Sequence, residues 1–463
     1  MSYDFFQTKL DSPLQSFDEI GEGKDFPPKR NVDRIKLYNR YYDWSHRKYT
    51  GLLEQLPDRQ LRFDTVTRNR VQRLSPNMFK FVKTFFEHVI LSDPPAFEYD
   101  GPERVNEFIQ ATAPNVVKAS KIVIGDMIRY GVGLFFLRHA MSPETLDPRF
   151  WFPVRTPYDL LSNEGGDIVA MPYSDNSVNL DRLLVIKYQG AGVTATIYTL
   201  EGLQIKAPLK QVPMEYLENA LIPVRMGEGF FGSSDYADIA EYVAELHCRE
   251  SQLANSLDKH SNPHLAVPEG SVKVEADGSV NVNNDGLIIP FPEGSNPPQY
   301  VTWDAKFEFQ ESDITRAEDR ILRLSGISPV LLSPASLKIQ GGAQSGVALR
   351  RMSVITVNKI QSIRESLDSA YKLLFPALGV QNGQAGELVE IDPDKLSIVW
   401  PAPLSTGFTD DADAIKSLVD SGALTQETAL QLTEKVSRKR AEELSKEQRE
   451  NEPQQTESPG GRS

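Results

Sequence analysis

The chain is 463 residues long, room for two to four packed units, and its 40% apolar and 25% charged composition excludes wholesale disorder. Lys and Arg total 50 against 64 Asp and Glu, and the formal charge of -14 excludes a protein that coats nucleic acid through a basic surface. The single cysteine, Cys248, excludes an internal disulfide framework or thiolate cluster and fits a reducing setting, while MSYDFFQTKLD reads as no export signal and no run reaches the ~18 apolar residues of a membrane span.

In chain order, NVDRIKLYNRYYDWSHRKYTGLL has no breaker before Gly51 and spaces its aromatic residues for a helix. SPNMFKFVKTFFEHVILSDPP predicts an amphipathic helix from Ser75, with Pro76 in its first turn and Phe79, Val82, Phe86 and Val89 or Ile90 on one face, ending before Pro94. A third helix is expected from Ala113 to about Tyr130, ended by Gly131, with a strand in GVGLFFLRHA after it. From Phe152 to Arg225 the pattern is β-rich and partly antiparallel: Arg182–Tyr188, Gly192–Thr199 and Leu221–Arg225, the last confined to a sheet edge by Pro223.

A long helix then starts at Ser233 or Ser234 and carries Ile239, Val243, Leu246, Leu253 and Leu257 along one stripe to Pro263. Residues 264–305 interrupt it with β structure, including a hairpin turning at Asp277-Gly278 between Val272/Val274 and Val280/Val282. Phe309 to Ser325 is the next helix, with Ile314, Ala317, Ile321 and Leu324 on one face and Gly326 as its stop. After the Gly341-Gly342 loop, the longest helical pattern runs from about Gly346 to Phe375. It places Met352, Ile355, Ile360, Ile363, Leu367, Ala370 and Leu374 inward and stops at Pro376. A strand at Leu396–Trp400, a pair of short helices in DDADAIKSLVDSGALTQETALQLTEKV and a polar, disordered tail complete the chain. The fold class this predicts is α+β.

Few motifs carry chemistry. Gly227, Gly229 and Gly232 form a G-x-G-x-x-G between a strand and a helix, the shape of a dinucleotide-binding turn. The acidic residue expected about 20 positions on would fall inside the helix, and Asp235, Asp238, Glu241 and Glu245 crowd its first turns, where they suit the helix dipole and repel a phosphate. A glycine-rich joint between sheet and helix is the preferred reading; a dinucleotide-binding enzyme using Gly227–Gly232 is the alternative. No P-loop or G-x-S-x-G elbow is present, so no catalytic residue is nominated. His260, His264 and Cys248 are separated by the break at Pro263 and nominate no metal site, and no cofactor is expected. Lys338 is the one basic side chain of the Ser333–Ser345 loop, and Arg438-Lys439-Arg440 reads as a solvated helix end.

The order of these parts resembles the portal proteins of tailed double-stranded DNA bacteriophages, on the phrases RIKLYNRYYDW, Asp93-Pro94-Pro95, IRYGVGLFFLRH, AEDRILRLSGIS, SGVALRRM and DADAIKSLVDSGALTQETALQL. The likeness covers about residues 30–435. It implies an elongated α+β subunit with an α/β wing, two-helix stem, small β-containing clip, long wing helix and helical crown, assembled as a homo-oligomeric ring, usually of twelve. Mapped on this chain, the resemblance gives an N-terminal wing at 1–233, stem helices at 234–262 and 309–326, and a clip at 263–308. A tunnel-loop region follows at 327–345, the wing long helix and strand at 346–409, a crown at 410–450 and a disordered tail at 451–463. The implied role is a non-enzymatic channel at the capsid vertex through which DNA is packaged and ejected. The partners implied are terminase, a head-completion or tail adaptor protein, and the major capsid and scaffolding proteins. The place implied is the virion, after assembly in the host cytoplasm. Lys338, Ile339, Gln340 and Gln344 are then expected to line the tunnel, with Asp238, Glu241 and Glu245 as acidic stem lining that lets DNA slide. A different connector or minor capsid subunit is the third reading.

Overall fold

The computed structural model describes residues 13–46, 76–139, 142–154, 166–175, 180–189, 192–212, 221–227, 231–261, 264–268, 288–291, 299–301, 307–332, 353–384 and 388–401. The expected hairpin at 272–282, the tunnel-loop residues Lys338, Ile339, Gln340 and Gln344, the paired C-terminal helices and the basic run at 438–440 lie outside them. The architecture is α+β, and the chain divides into two compact units, one of residues 1–42, 81–237 and 326–463, the other of 43–80 and 238–325.

The first unit is built on a five-stranded antiparallel sheet. Its order follows the chain: β4 (Trp151–Val154), β5 (Gly166–Asp175), β6 (Leu180–Gln189), β7 (Gly192–Glu201) and β8 (Gln204–Val212). Period-two alternation puts Phe152/Val154, Ile168/Ala170 and Leu183/Val185 on one face, where Leu14, Ile20 and the partly buried Phe17, Phe26 and Ile35 cover them. Sequence reading missed β4, β5 and β8. Pro172 and Pro208 argue against two of them, yet Pro172 lies beyond the last β4 pair, Trp151↔Val169, where β5 has an open side.

A second sheet has the order β3 (Ser142–Thr145), β2 (Val132–His139), β9 (Leu221–Arg225), all antiparallel, and Pro223 indeed lies in an edge strand. Two helices flank it, α3 (Glu103–Tyr130) against β2 and α6 (Val354–Gln384) against β9. Gly133 is required there, because a Cβ on it would strike the Val123 carbonyl oxygen of α3. Tyr371 of α6 donates to the Ser120 hydroxyl of α3 at 2.7 Å.

Both flanking helices correct the expected boundaries. α3 begins ten residues earlier than predicted and runs through Pro114, with Val105, Phe108, Ile109 and Thr112 buried before the proline and Val116 and Ala119 after it. α6 runs through Pro376 to Gln384, because Phe375, Ala377 and Leu378 are all buried and Gly379 lies against the Val389 carbonyl. In each case continuous burial outweighs the roughly 3 kcal/mol by which an internal proline disfavours a helix. Ile355, expected inward, is half exposed near the start of α6.

β1 (Ala96–Tyr99) was not foreseen; it pairs antiparallel with β13 (Leu396–Val399), Ala96 opposite Val399. Phe97 of β1 then packs on Phe375 and Tyr371 at ring distances of 4.9 and 5.3 Å.

α1 (Val32–Ser45) buries Leu37, Tyr38, Tyr41 and Trp44 at three- and four-residue steps. α2 (Met78–Leu91) buries the expected Phe79, Val82, Phe86 and Ile90 but starts later than predicted: the Lys80 amide donates to the Asn77 side chain at 2.9 Å, so Asn77 is the cap.

The second unit contains most of α4 (Asp235–Ser261), a three-stranded sheet and α5 (Phe307–Leu324). In the sheet, β10 (His264–Pro268) lies between β11 (Ile288–Phe291), parallel to it, and β12 (Gln299–Val301), antiparallel. Trp44 stacks on Phe79 at 4.4 Å in this unit, and His247 on α4 meets the Pro76 carbonyl at 3.0 Å.

Candidate functional site

Between β9 and α4 lies the glycine motif, of which Gly227 and Gly232 are described, and the geometry around Gly232 shows what that glycine does. Gly131, closing α3, and Gly232, preceding α4, both have positive φ (85° and 70°) and lie back to back. A Cβ on Gly232 would strike the Gly131 carbonyl oxygen, and one on Gly131 would meet the Gly232 carbonyl carbon at 2.8 Å. The Met226 amide donates to the Gly131 carbonyl at 2.8 Å, and the Ser233 amide to the Met226 carbonyl at 2.7 Å. The space a phosphate would need at Gly232 is therefore filled by backbone. β9, the strand before the turn, also pairs antiparallel with β2, whereas a dinucleotide-binding turn belongs to a parallel β-α-β unit. The joint reading holds for Gly227 and Gly232, and nothing among the described residues of the turn forms a nucleotide cradle.

Ser234 caps α4. Its Oγ accepts from the Tyr236 amide at 3.1 Å and donates to the Arg129 carbonyl at 2.6 Å, so the last turn of α3 and the first turn of α4 share one hydroxyl. Asp235 beside the cap is ion-paired with Lys359 of α6, whose ammonium also lies over the Phe86 ring at 4.8 Å.

Farther along α4, the residues Ile239, Val243, Leu246 and His247 face inward, and Asp238, Glu241 and Glu245, at spacings of three and four, face outward together. The three acids are not equivalent. Glu245 Oε1 takes the Arg249 Nε at 2.9 Å, and Arg249 Nη1 reaches Asp313 of α5 at 2.7 Å, forming a bridge between the helices. Asp238 and Glu241 are exposed, and among the described residues no ion pair or hydrogen bond engages their heads.

α5 buries Ile314, Ala317, Ile321 and Leu322, and Gly326, at φ 77°, follows it as expected; Leu324, predicted inward, is half exposed. On its far side stand Arg316, Arg320 and Arg323, again at spacings of four and three, all exposed and without a partner among the described residues. Sequence reading passed over these three arginines, although their spacing is the mirror of the acids on α4. Where the two helices approach, Glu318 has its pKa raised, by burial first and then by the neighbouring Glu250 and Asp319 carboxylates.

The other candidates are occupied with structural work. Cys248 is buried, and burial with Glu245 nearby pushes its thiol up to about 11, which makes it a poor nucleophile. No group of three metal-ligating side chains occurs among the described residues. No helix among them is long and apolar enough to cross a membrane. A cleft of about 530 Å³ in the first unit is lined by Phe26, Asn39, Arg149, Tyr173 and Asp181, but Arg149 is held by Asp147 at 2.8 Å and Asn39 at 3.1 Å.

A family model described as "Phage portal protein, SPP1 Gp6-like" matches residues 183–454, a span that begins in β6 and includes α4, α5 and α6. No curated relative matches the chain. Among solved structures the chain is similar to one described as "Neck of empty GTA particle computed with C6 symmetry", at 12% identity and a TM-score of 0.39, covering 76% of this chain and 88% of that one.

Proposed function

The chain belongs to the phage portal proteins of the SPP1 Gp6-like family, and from that membership we propose that copies of it close into a ring whose central tunnel passes double-stranded DNA during packaging and again during ejection. The observation that carries the reading is the family match over 183–454, which takes in both helices with outward charge. In this reading the ring stands at the capsid vertex of the virion, with terminase docked during filling and a tail adaptor afterwards. Major capsid and scaffolding proteins surround it during assembly in the host cytoplasm. The chain carries out no covalent chemistry; its work is to hold a passage open.

Two physical features support a conduit. The formal charge of -14 per copy keeps the assembled ring from gripping a polyanion, since each phosphate neutralised would add to binding and to friction. Helices with charge on one face and apolar residues on the other are suited to repeated side-by-side packing around an axis. The division into wing, stem, clip and crown at the boundaries given above is part of the proposal, as is the tunnel loop with Lys338, Ile339, Gln340 and Gln344 facing DNA.

Electron microscopy of the purified protein tests the core of this reading. Rings with a central hole and a mass near twelve copies are expected; a small globular oligomer overturns it. Within assembled particles, Lys338→Ala should change DNA retention or packaging rate several-fold with rings intact, and loss of the ring itself would sink the loop assignment.

A further inference from the structure

On α4 Asp238 and Glu241, and on α5 Arg316, Arg320 and Arg323, have no partner among the described residues, while Glu245 is held by Arg249; the positions of the acids and the arginines match. Two contacts fix how the helices run. Lys359 meets Asp235 at the start of α4 and lies against Gly326 just past the end of α5, while Arg249 and Asp313 meet farther along both helices. The helices are therefore antiparallel, with 235 level with about 326 and 249 level with 313. On that register Asp238 stands at the level of Arg323, Glu241 at that of Arg320, and Glu245 at that of Arg316. Three acids and three arginines thus occupy the same three heights on two outward faces.

We propose that these faces are the two halves of one contact between copies: the α4 acids of one subunit meet the α5 arginines of the next, Asp238 with Arg323 and Glu241 with Arg320, with Glu245 and Arg316 adding to the same seam. The proposal rests on the ring reading and names the surface that closes it. Rotation about an axis along the helices carries every residue to the same height in the neighbour, so charges level within one copy stay level between copies. Because the two faces differ, each copy offers one and accepts the other, and a head-to-tail ring results. Each pair alone is a modest surface interaction, but it is repeated at three heights and at every seam, and it selects register by penalising any vertical slip that opposes like charges. The seam takes Asp238 and Glu241 away from the tunnel wall, where the sequence reading placed them.

Charge reversal by halves tests this. Asp238→Arg with Glu241→Arg makes both faces of a copy basic; Arg320→Glu with Arg323→Glu makes both faces acidic. Neither chain is expected to form rings alone by electron microscopy and mass measurement, while an equal mixture recovers rings in which the two chains alternate, an arrangement that needs an even number of copies. Circular dichroism and melting of each separate chain should match wild type, since all four positions are exposed. The milder pair Asp238→Asn with Glu241→Gln should lower the salt concentration at which rings come apart by at least about twofold. Wild-type protein that forms no rings, or closes as a dimer, overturns the ring reading. Wild-type rings together with reversed chains that still assemble alone at unchanged salt tolerance, or that fold but fail to assemble when mixed, overturn the seam and leave the ring standing.

Discussion

Arg34 on α1 and Arg320 on α5 carry the same guanidinium into opposite surroundings. Arg34 is 2% exposed in the first unit, donates to the carbonyls of Trp151 at 2.9 Å and Pro148 at 3.3 Å, and lies over the rings of Phe231, Tyr38 and Phe152 at 4.5 to 5.4 Å. Burial lowers its pKa, with Tyr38 opposing. Arg129 and Arg149 are likewise engaged, by Asp126 and Tyr130 and by Asp147 and Asn39. Arg320 in the second unit is exposed and has no partner among the described residues. These arginines of the first unit are answered by their own chain, whereas Asp238 and Glu241 on α4 and the three arginines on α5 stay open among the described residues. Charge answered within one unit and left open on two helices of the other is what the seam proposed above requires.

The largest expected effect is at the closed end of this contrast. Arg34→Met should destabilise the folded chain by about 2–4 kcal/mol in denaturant titration, because the carbonyls of Trp151 and Pro148 stay buried with their donor gone. A loss under about 0.5 kcal/mol would show that Arg34 is not needed there. Next comes Asp126, whose carboxyl burial pushes up to about 7, against the pull of Arg129 and with a further push from Asp147. The folded chain keeps this proton at pH values where the unfolded chain has released it. The stability Asp126 contributes is therefore full below about pH 4, declines up to about pH 7 and is level beyond. Asp126→Asn should flatten that part of the stability profile, a difference of about 4 kcal/mol between the ends of the window; parallel profiles for the two proteins would refute the assignment. The smallest effect is at the open end. Arg320→Ala should move the unfolding free energy of the single chain by no more than about 0.5 kcal/mol, and a larger loss would reveal a partner inside the copy and blur the contrast.

What could be read beforehand follows a physical rule. α2, β2, α4 and α5 were legible because their signals are local: Phe79, Val82, Phe86 and Ile90 recur at helical steps, Ser234 caps, and Gly326 stops. The ends of α3 and α6 were misread because Pro114 and Pro376 are strong local breakers, overruled by apolar contacts that exist only in the folded protein. β5 and β8 were hidden by Pro172 and Pro208, acceptable only once a strand has an open side. At the site, the acids on α4 were visible as spacing, and so were Arg316, Arg320 and Arg323, but that Glu245 is held through Arg249 by Asp313 joins residues 64 positions apart and has no local mark.

β1 and β13 give the protein a clock. Their four pairs, from Ala96↔Val399 to Tyr99↔Leu396, join segments about 300 residues apart, and the Asp392 amide adds a bond to the Tyr99 hydroxyl across 293 positions. A ribosome adding about 5–20 residues per second leaves β1 waiting about 15–60 s for its partner. Through that interval Phe97 and Tyr99, both buried in the finished fold, have neither β13 nor the rings of α6 to cover them. A chain released short of residue 396 can never make the closure, so its early half stays sticky and open to proteases. The two-stranded sheet is in this sense a late seal, and only chains translated past Val399 carry it.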